Sequence, residues 1–196
     1  MNIILTGYRC TGKTSAGKRL AERLGCSFYD TDEMVERQTG LPIPRIVTER
    51  GWDAFRQAER KAIGELSGAD RAVIALGGGA VLDARNVETL KKNGVFVWLI
   101  AAAKTIAARM EGDESGGSKR PSLTQATSIG EIDPVLAERE PLYRRLADLA
   151  VDTTEIDADR VAEAICAGLR KRFPQRDLRD FKQLPVCHSR PVSSTG

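Results

Sequence analysis

Short apolar runs alternate with longer stretches of helical periodicity along most of the chain. Ile3-Ile4-Leu5 runs straight into Thr6-Gly7 and reads as a buried strand ending at a turn. Thr14 to Leu24 places Ala16, Leu20 and Leu24 on one face and Lys18, Arg19, Glu22 and Arg23 elsewhere, an amphipathic helix that Gly25 stops. Ser27-Phe28-Tyr29, leading to Asp30, is a second short strand. Helical stretches follow over 32–39, 43–50 and 52–67, then a strand from Ala72 to Leu76 closed by Gly77-Gly78-Gly79. A helix over 84–92 precedes the strand Val95 to Ile100, and another helix runs from Lys104 to Met110.

Residues Glu111 to Thr124 break the rhythm. Glycines, serines and then Lys119-Arg120-Pro121 predict a flexible loop with a basic end. Asp133-Pro134 predicts a helix N-cap followed by proline at the first helical position, with the helix running towards Ala147 and broken at Pro141. Leu149 to Val151 reads as a last strand and Arg160 to Arg172 as a last helix. Strands and helices alternating at these lengths predict an α/β fold, a parallel sheet covered on both faces. From Phe173 three prolines and scattered charges leave no period, so 1–172 reads as one domain and 173–196 as a disordered tail.

Composition narrows the function classes. Of the formal charge of +3, the tail's four basic and two acidic residues supply +2, so the body is nearly balanced and has no footprint for nucleic acid. Cys10, Cys26, Cys166 and Cys187 show neither CxxC pairing nor zinc spacing, which points to reduced cytosolic thiols. The N-terminus has no basic, signal-like start, and the longest apolar run, Val95 to Ala103, is too short to span a bilayer. The expectation is a cytoplasmic protein without a membrane partner.

The chemistry begins at Gly7-Tyr8-Arg9-Cys10-Thr11-Gly12-Lys13-Thr14, which fits GxxxxGK[ST] between a strand and a helix. The glycines let backbone N–H groups turn inward around phosphates, and the following helix adds its positive N-terminal end. Lys13 is placed to reach the β- and γ-phosphates, and the Thr14 hydroxyl to ligate Mg²⁺. The motif predicts ATP binding and is silent about the acceptor.

Asp30 and Asp32 follow the second strand. In an extended segment they point to the same side, towards the crevice beyond the strand ends; an acidic cap on the next helix is the simpler reading of these residues alone. Arg56, in Phe55-Arg56-Gln57-Ala58-Glu59, reads either as a bidentate carboxylate ligand or as a surface arginine beside Glu59. Gly77-Gly78-Gly79 reads either as a close approach of ligand to backbone or as a flexible turn. Arg120-Pro121 suits a lid that brings an arginine to the phosphates, and Arg139 stands beside a helix break.

Taken in order, these segments resemble the shikimate kinase family over residues 1–172. The P-loop, Asp-x-Asp, Phe-Arg-x-x-Glu, Gly-Gly-Gly, lid Arg-Pro and Arg-x-Pro-Leu-Tyr all occur in sequence. The resemblance implies a three-layer P-loop fold with a central parallel sheet and a mobile lid, and phosphorylation of shikimate by a monomer using ATP and Mg²⁺. It implies that Asp32 holds the acceptor hydroxyl, that Arg56 and Arg139 bind the shikimate carboxylate, and that Gly78 offers its backbone. Cys10, Thr11, Gly12, Lys13, Thr14 and Ser15 surround the nucleotide, Arg120 reaches the ATP phosphates, Asp30 supports the metal through water, and Arg109 lies beside the adenine. Lys13, Asp32 and Arg120 are the expected catalytic set. The chain departs from the family in carrying Cys10 where glycine is usual, in a longer lid from Gly112 to Lys119, and in lacking a basic residue after Val151-Asp152-Thr153. The competing readings are a kinase for another small hydroxy acid such as gluconate, and a nucleotide-binding regulator that has lost catalysis.

Overall fold

The computed structural model describes residues 1–112 and 129–174. Five parallel strands, β1 (Asn2–Thr6), β2 (Ser27–Asp30), β3 (Ala72–Ala75), β4 (Gly94–Ile100) and β5 (Leu149–Asp152), form one sheet in the order β2-β3-β1-β4-β5. Successive residues of β1 face opposite sides, which explains why its run is apolar without interruption. Ile3 and Leu5 pack with Leu20 of helix α1 (Lys13–Leu24) and Ile165 of helix α7 (Ala158–Arg172). Ile4 faces Ile63, Leu90 and Tyr143 on the other side. Those residues belong to α3 (Ile43–Glu65), α4 (Ala84–Lys91) and α6 (Ile132–Leu146). The expected three-layer α/β fold is therefore present. The remaining helices are α2 (Thr31–Thr39) and α5 (Ala103–Gly112). The expected lid with Arg120, and all but the first two residues of the expected tail, lie outside the described residues.

Several local expectations are corrected. The break expected between the 43–50 and 52–67 helices is present within α3, at Gly51, whose non-helical torsion (φ 82°, ψ 169°) favours glycine; only the end differs, at Glu65 and not 67. Helix α6 starts at Ile132, not after Asp133, because Ile132 and Glu131 are both buried and draw the first turn inward. Pro134 still sits in that turn, where an amide has no intrahelical partner to lose. The helix also continues through Pro141. The lost hydrogen bond, about 3 kcal/mol in a helix interior, is outweighed where Arg139, Tyr143 and Leu146 are all buried. Helix α7 begins at Ala158 because Asp157 caps it, accepting from the Arg160 N–H at 2.8 Å. The segment expected as an extended Asp-x-Asp is different too: β2 ends at Asp30 and α2 begins at Thr31.

A P-loop cleft joined to an arginine pocket

The carboxyl ends of β1, β2, β3 and β5 converge on two adjoining clefts. The larger, of about 910 Å³, is lined by Cys10 to Ala16, Asp30, Asp32, Arg109 and Thr153, among others. The smaller is lined by Asp32, Trp52, Arg56, Glu59, Gly77 to Gly79 and Arg139. Asp32 borders both. The sequence-predicted residues within the described segments are thus brought together, with Thr11, Gly12, Lys13, Thr14 and Ser15 in one cleft and Arg56, Gly78 and Arg139 in the other.

In the larger cleft the Lys13 ammonium donates to the carbonyls of Gly7 (3.0 Å) and Tyr8 (2.6 Å), and the Thr11 hydroxyl donates to Tyr8 (2.8 Å). The loop is thereby curled around its own lysine. Cys10 holds φ 58°, a left-handed torsion where the family's usual glycine is at ease. The Thr14 hydroxyl donates to Asp30 Oδ2 at 2.7 Å, while Asp30 Oδ1 accepts from the amides of Asp32 (3.0 Å) and Glu33 (3.4 Å). Asp30 is therefore a helix cap and a partner of Thr14 at once. Both Asp30 and Asp32 border the cleft, though through a strand-to-helix turn and not through an extended pair. The hydroxyl and carboxylate of Thr14 and Asp30 are hard oxygen donors beside a phosphate cradle. That set fits Mg²⁺, which keeps several waters and takes one or two carboxylates together with phosphate oxygens.

In the smaller pocket Arg56 Nη1 donates to Glu59 Oε2 at 2.7 Å, and the guanidinium carbon lies 5.6 Å from the Trp52 ring centroid and 5.1 Å from that of Phe55. Glu59 is 1% exposed. Burial pushes its carboxyl from 4.5 up to about 7; Arg56 and Arg139 draw it down and Asp32 pushes it further up. Arg139 is 7% exposed, and its Nε is buried without a hydrogen-bond partner among the described residues. The Tyr143 hydroxyl donates to the Gly78 carbonyl, and burial drives that phenol up to about 12. Arg56 is 26% exposed and stands beside Glu59 as the surface-arginine reading has it, but that acid is buried and the pocket that Arg56 lines also includes Arg139.

Sequence reading missed two members of this site, Thr31 and Thr153. Thr31 Oγ1 accepts from the Gly77 N–H at 2.9 Å and so fixes the glycine turn. Thr153 Oγ1 lies 3.0 Å from the carbonyls of both Thr11 and Ile100. Arg109 Nη2 donates to the Thr153 carbonyl at 2.6 Å, and its Nη1 to Cys10 O at 3.3 Å. After β5, where the sequence lacks the basic residue that the resemblance would have, Thr153 ties the P-loop, β4 and Arg109 together. The only signal of these two residues in the sequence is a threonine just past a strand end, which is too common to single them out.

A family model described as shikimate kinase matches residues 9–170. A shikimate kinase of Syntrophus aciditrophicus (strain SB) is 42% identical over 183 residues, covering 89% of this chain and 92% of the relative. The solved shikimate kinase from Acinetobacter baumannii in complex with shikimate superposes with TM-score 0.79 at 34% identity, over 89% of this chain and 94% of that one. A gluconokinase from Sinorhizobium meliloti 1021 shares the fold alone, at TM-score 0.56 and 20% identity over 87% of this chain and 91% of that one.

Proposed function

The chain belongs to the shikimate kinase family, and from that premise we propose that it transfers the γ-phosphoryl group of ATP to a ring hydroxyl of shikimate, giving shikimate 3-phosphate. The observation that carries the reading is Asp32 at the border of a phosphate cradle and a pocket with two arginines. Arg56 and Arg139 receive the shikimate carboxylate through charge-assisted hydrogen bonds, and the Gly78 backbone lies against the ring. Asp32 accepts a hydrogen bond from the acceptor hydroxyl, which aligns its oxygen and takes its proton as the new P–O bond forms and the bond to the ADP oxygen breaks. Phosphoryl transfer asks mainly for alignment and charge neutralisation. Lys13 and the P-loop amides, from Cys10 to Ser15, bind the phosphates. Thr14 and Asp30 are the residues that would hold Mg²⁺, which when bound would supply neutralisation of phosphate charge. Arg120, outside the described residues, is assigned to the phosphates on the resemblance alone, and Arg109 to the adenine side.

The same reading takes residues 1–172 as the catalytic domain and 173–196 as an appendage, and the enzyme as a cytoplasmic monomer. Among the described residues no helix is long and apolar enough to cross a membrane. Purified protein is tested with ATP and Mg²⁺ against shikimate, gluconate, quinate and no acceptor, following ADP release and product mass. Turnover of shikimate is expected. Turnover of gluconate with shikimate untouched would overturn the assignment, and ATP binding without any turnover would favour the regulator.

A further inference from the structure

One charged pair beside the site has no part in the roles above. Arg9 Nη2 donates to Glu131 Oε1, and the two residues are 7% and 0% exposed. Taking both charges out of water is costly, and apolar residues of similar size are often as stable or more so. The other terminal nitrogen of Arg9, Nη1, is buried with no hydrogen-bond partner among the described residues, which adds to that cost. Stability therefore does not account for the pair.

Its position does. Arg9 belongs to the P-loop and borders both clefts. Glu131 is the N-cap residue of α6, about 12 Å along that helix from Arg139 at 1.5 Å per residue. Towards its other end, α6 is fastened by the Tyr143 hydroxyl to the Gly78 carbonyl. Gly78 in turn packs on the P-loop: a Cβ built on it would lie 3.4 Å from the Arg9 amide nitrogen. The P-loop, α6 and the glycine turn thus form a closed ring of contacts, and Arg139 stands on the α6 side between its two fastenings.

We propose that Arg9 and Glu131 are a positioning pair that keeps Arg139, and with it the bound acceptor, in register with the P-loop phosphates. The inference rests on the shikimate kinase reading above. Each substrate is held by other groups, so the pair governs transfer more than binding. A long arginine side chain follows a small shift of its helix and keeps its carboxylate. The acceptor oxygen then leaves the transfer line, and a misplacement of about 1 Å costs about a hundredfold in rate.

The test uses the full chain, with Arg9→Met, Glu131→Gln and the double variant Arg9→Met/Glu131→Leu. Melting temperature, separate binding constants for shikimate and for MgATP, and kcat with both substrates saturating are measured. Each single change removes one charge of the buried pair and keeps the other, which lowers the melting temperature; the double change restores it. In the double variant the two binding constants stay within about threefold of wild type while kcat falls about tenfold to a hundredfold. A double variant with restored stability and wild-type kcat would show a merely structural pair and overturn the inference. Loss of shikimate affinity with kcat intact at saturation would overturn it as well. Should the double variant fail to fold, Glu131→Gln is read below its melting temperature by the same split. Wild-type protein that leaves shikimate unphosphorylated would overturn the activity assignment and this inference with it, whereas an active wild type with an equally active double variant overturns the inference alone.

Discussion

Replacing Glu59 by glutamine removes a titration that the fold makes costly. The side chain is 1% exposed and paired with Arg56 at 2.7 Å. Burial raises its carboxyl from 4.5 to about 7 despite the pull of Arg56 and Arg139. Between those two values the folded chain holds a proton that the unfolded chain has released, so stability falls as pH rises. The contribution is complete below about 4.5 and is gone above about 7. A rise of about 2.5 units, at 1.36 kcal/mol each, is worth about 3 kcal/mol. For a domain of this size 1 kcal/mol moves the melting temperature by about 2–4 °C, so wild type should lose about 6–12 °C across this window relative to Glu59→Gln. The assay is calorimetric melting of both proteins from pH 4.5 to 8 at fixed ionic strength, read as the difference between the two profiles. Other titrating groups cancel in that difference. Parallel profiles, or a wild type that gains on the variant as pH rises, would refute the reasoning.

Arg56→Ala and Arg139→Ala should each raise KM for shikimate roughly tenfold to a hundredfold or more, a charge-assisted hydrogen bond being worth about 1.5–3 kcal/mol; equal losses in ATP affinity would contradict the carboxylate clamp. Gly79→Ala should raise KM for shikimate and leave KM for ATP unchanged in steady-state kinetics, because its Cβ would lie 2.4 Å from Arg56 Nη2. Cys10→Gly should keep activity and leave the melting temperature equal or higher: relief of the φ 58° torsion, about 1–2 kcal/mol, exceeds or matches the roughly 0.4–1 kcal/mol that glycine costs through the unfolded chain. Removal of residues 175–196 should leave melting temperature and turnover as they are; a large drop in either would show that the tail belongs to the domain.

The sheet and the P-loop were legible because their signals are local. Five short strand-like runs alternating with helical periodicity are enough for a parallel sheet, and the eight residues from Gly7 to Thr14 specify their own geometry. The failures share a cause, which is that tertiary burial overrode a local preference. Asp133-Pro134 is a good helix start on its own, yet Glu131, pairing with Arg9 across 122 positions, begins the helix earlier. Glu59 read as a surface neighbour of Arg56, and no pattern within α3 announces that the glycine turn will cover it. Asp30 carries two roles because one oxygen caps α2 while the other meets Thr14, and a spacing rule for extended chain could register only the alignment of two carboxylates. Thr153 and Arg109 meet only after β5 is laid beside β4.

The Gly77-Gly78-Gly79 turn shows what finally decides between a flexible loop and a built one. None of the three has a positive φ, so torsional freedom does not explain them; space does. A Cβ at Gly77 would lie 2.6 Å from Asp32 Oδ1 and 2.8 Å from Glu59 Oε1, and one at Gly79 would lie 2.9 Å from Arg56 Cζ. At Gly78 the contacts, 3.4 Å or longer, are ordinary packing against the P-loop backbone. The outer two glycines therefore admit Asp32 and Glu59 on one side of a short turn and Arg56 on the other. The middle one brings that turn against the phosphate loop. A site for a small acid with a hydroxyl to be phosphorylated needs these three approaches within a few ångströms of each other. A turn with a side chain at either outer position would keep the strand and the helix that follow but push Asp32 or Arg56 away from the place that the proposed function assigns to transfer.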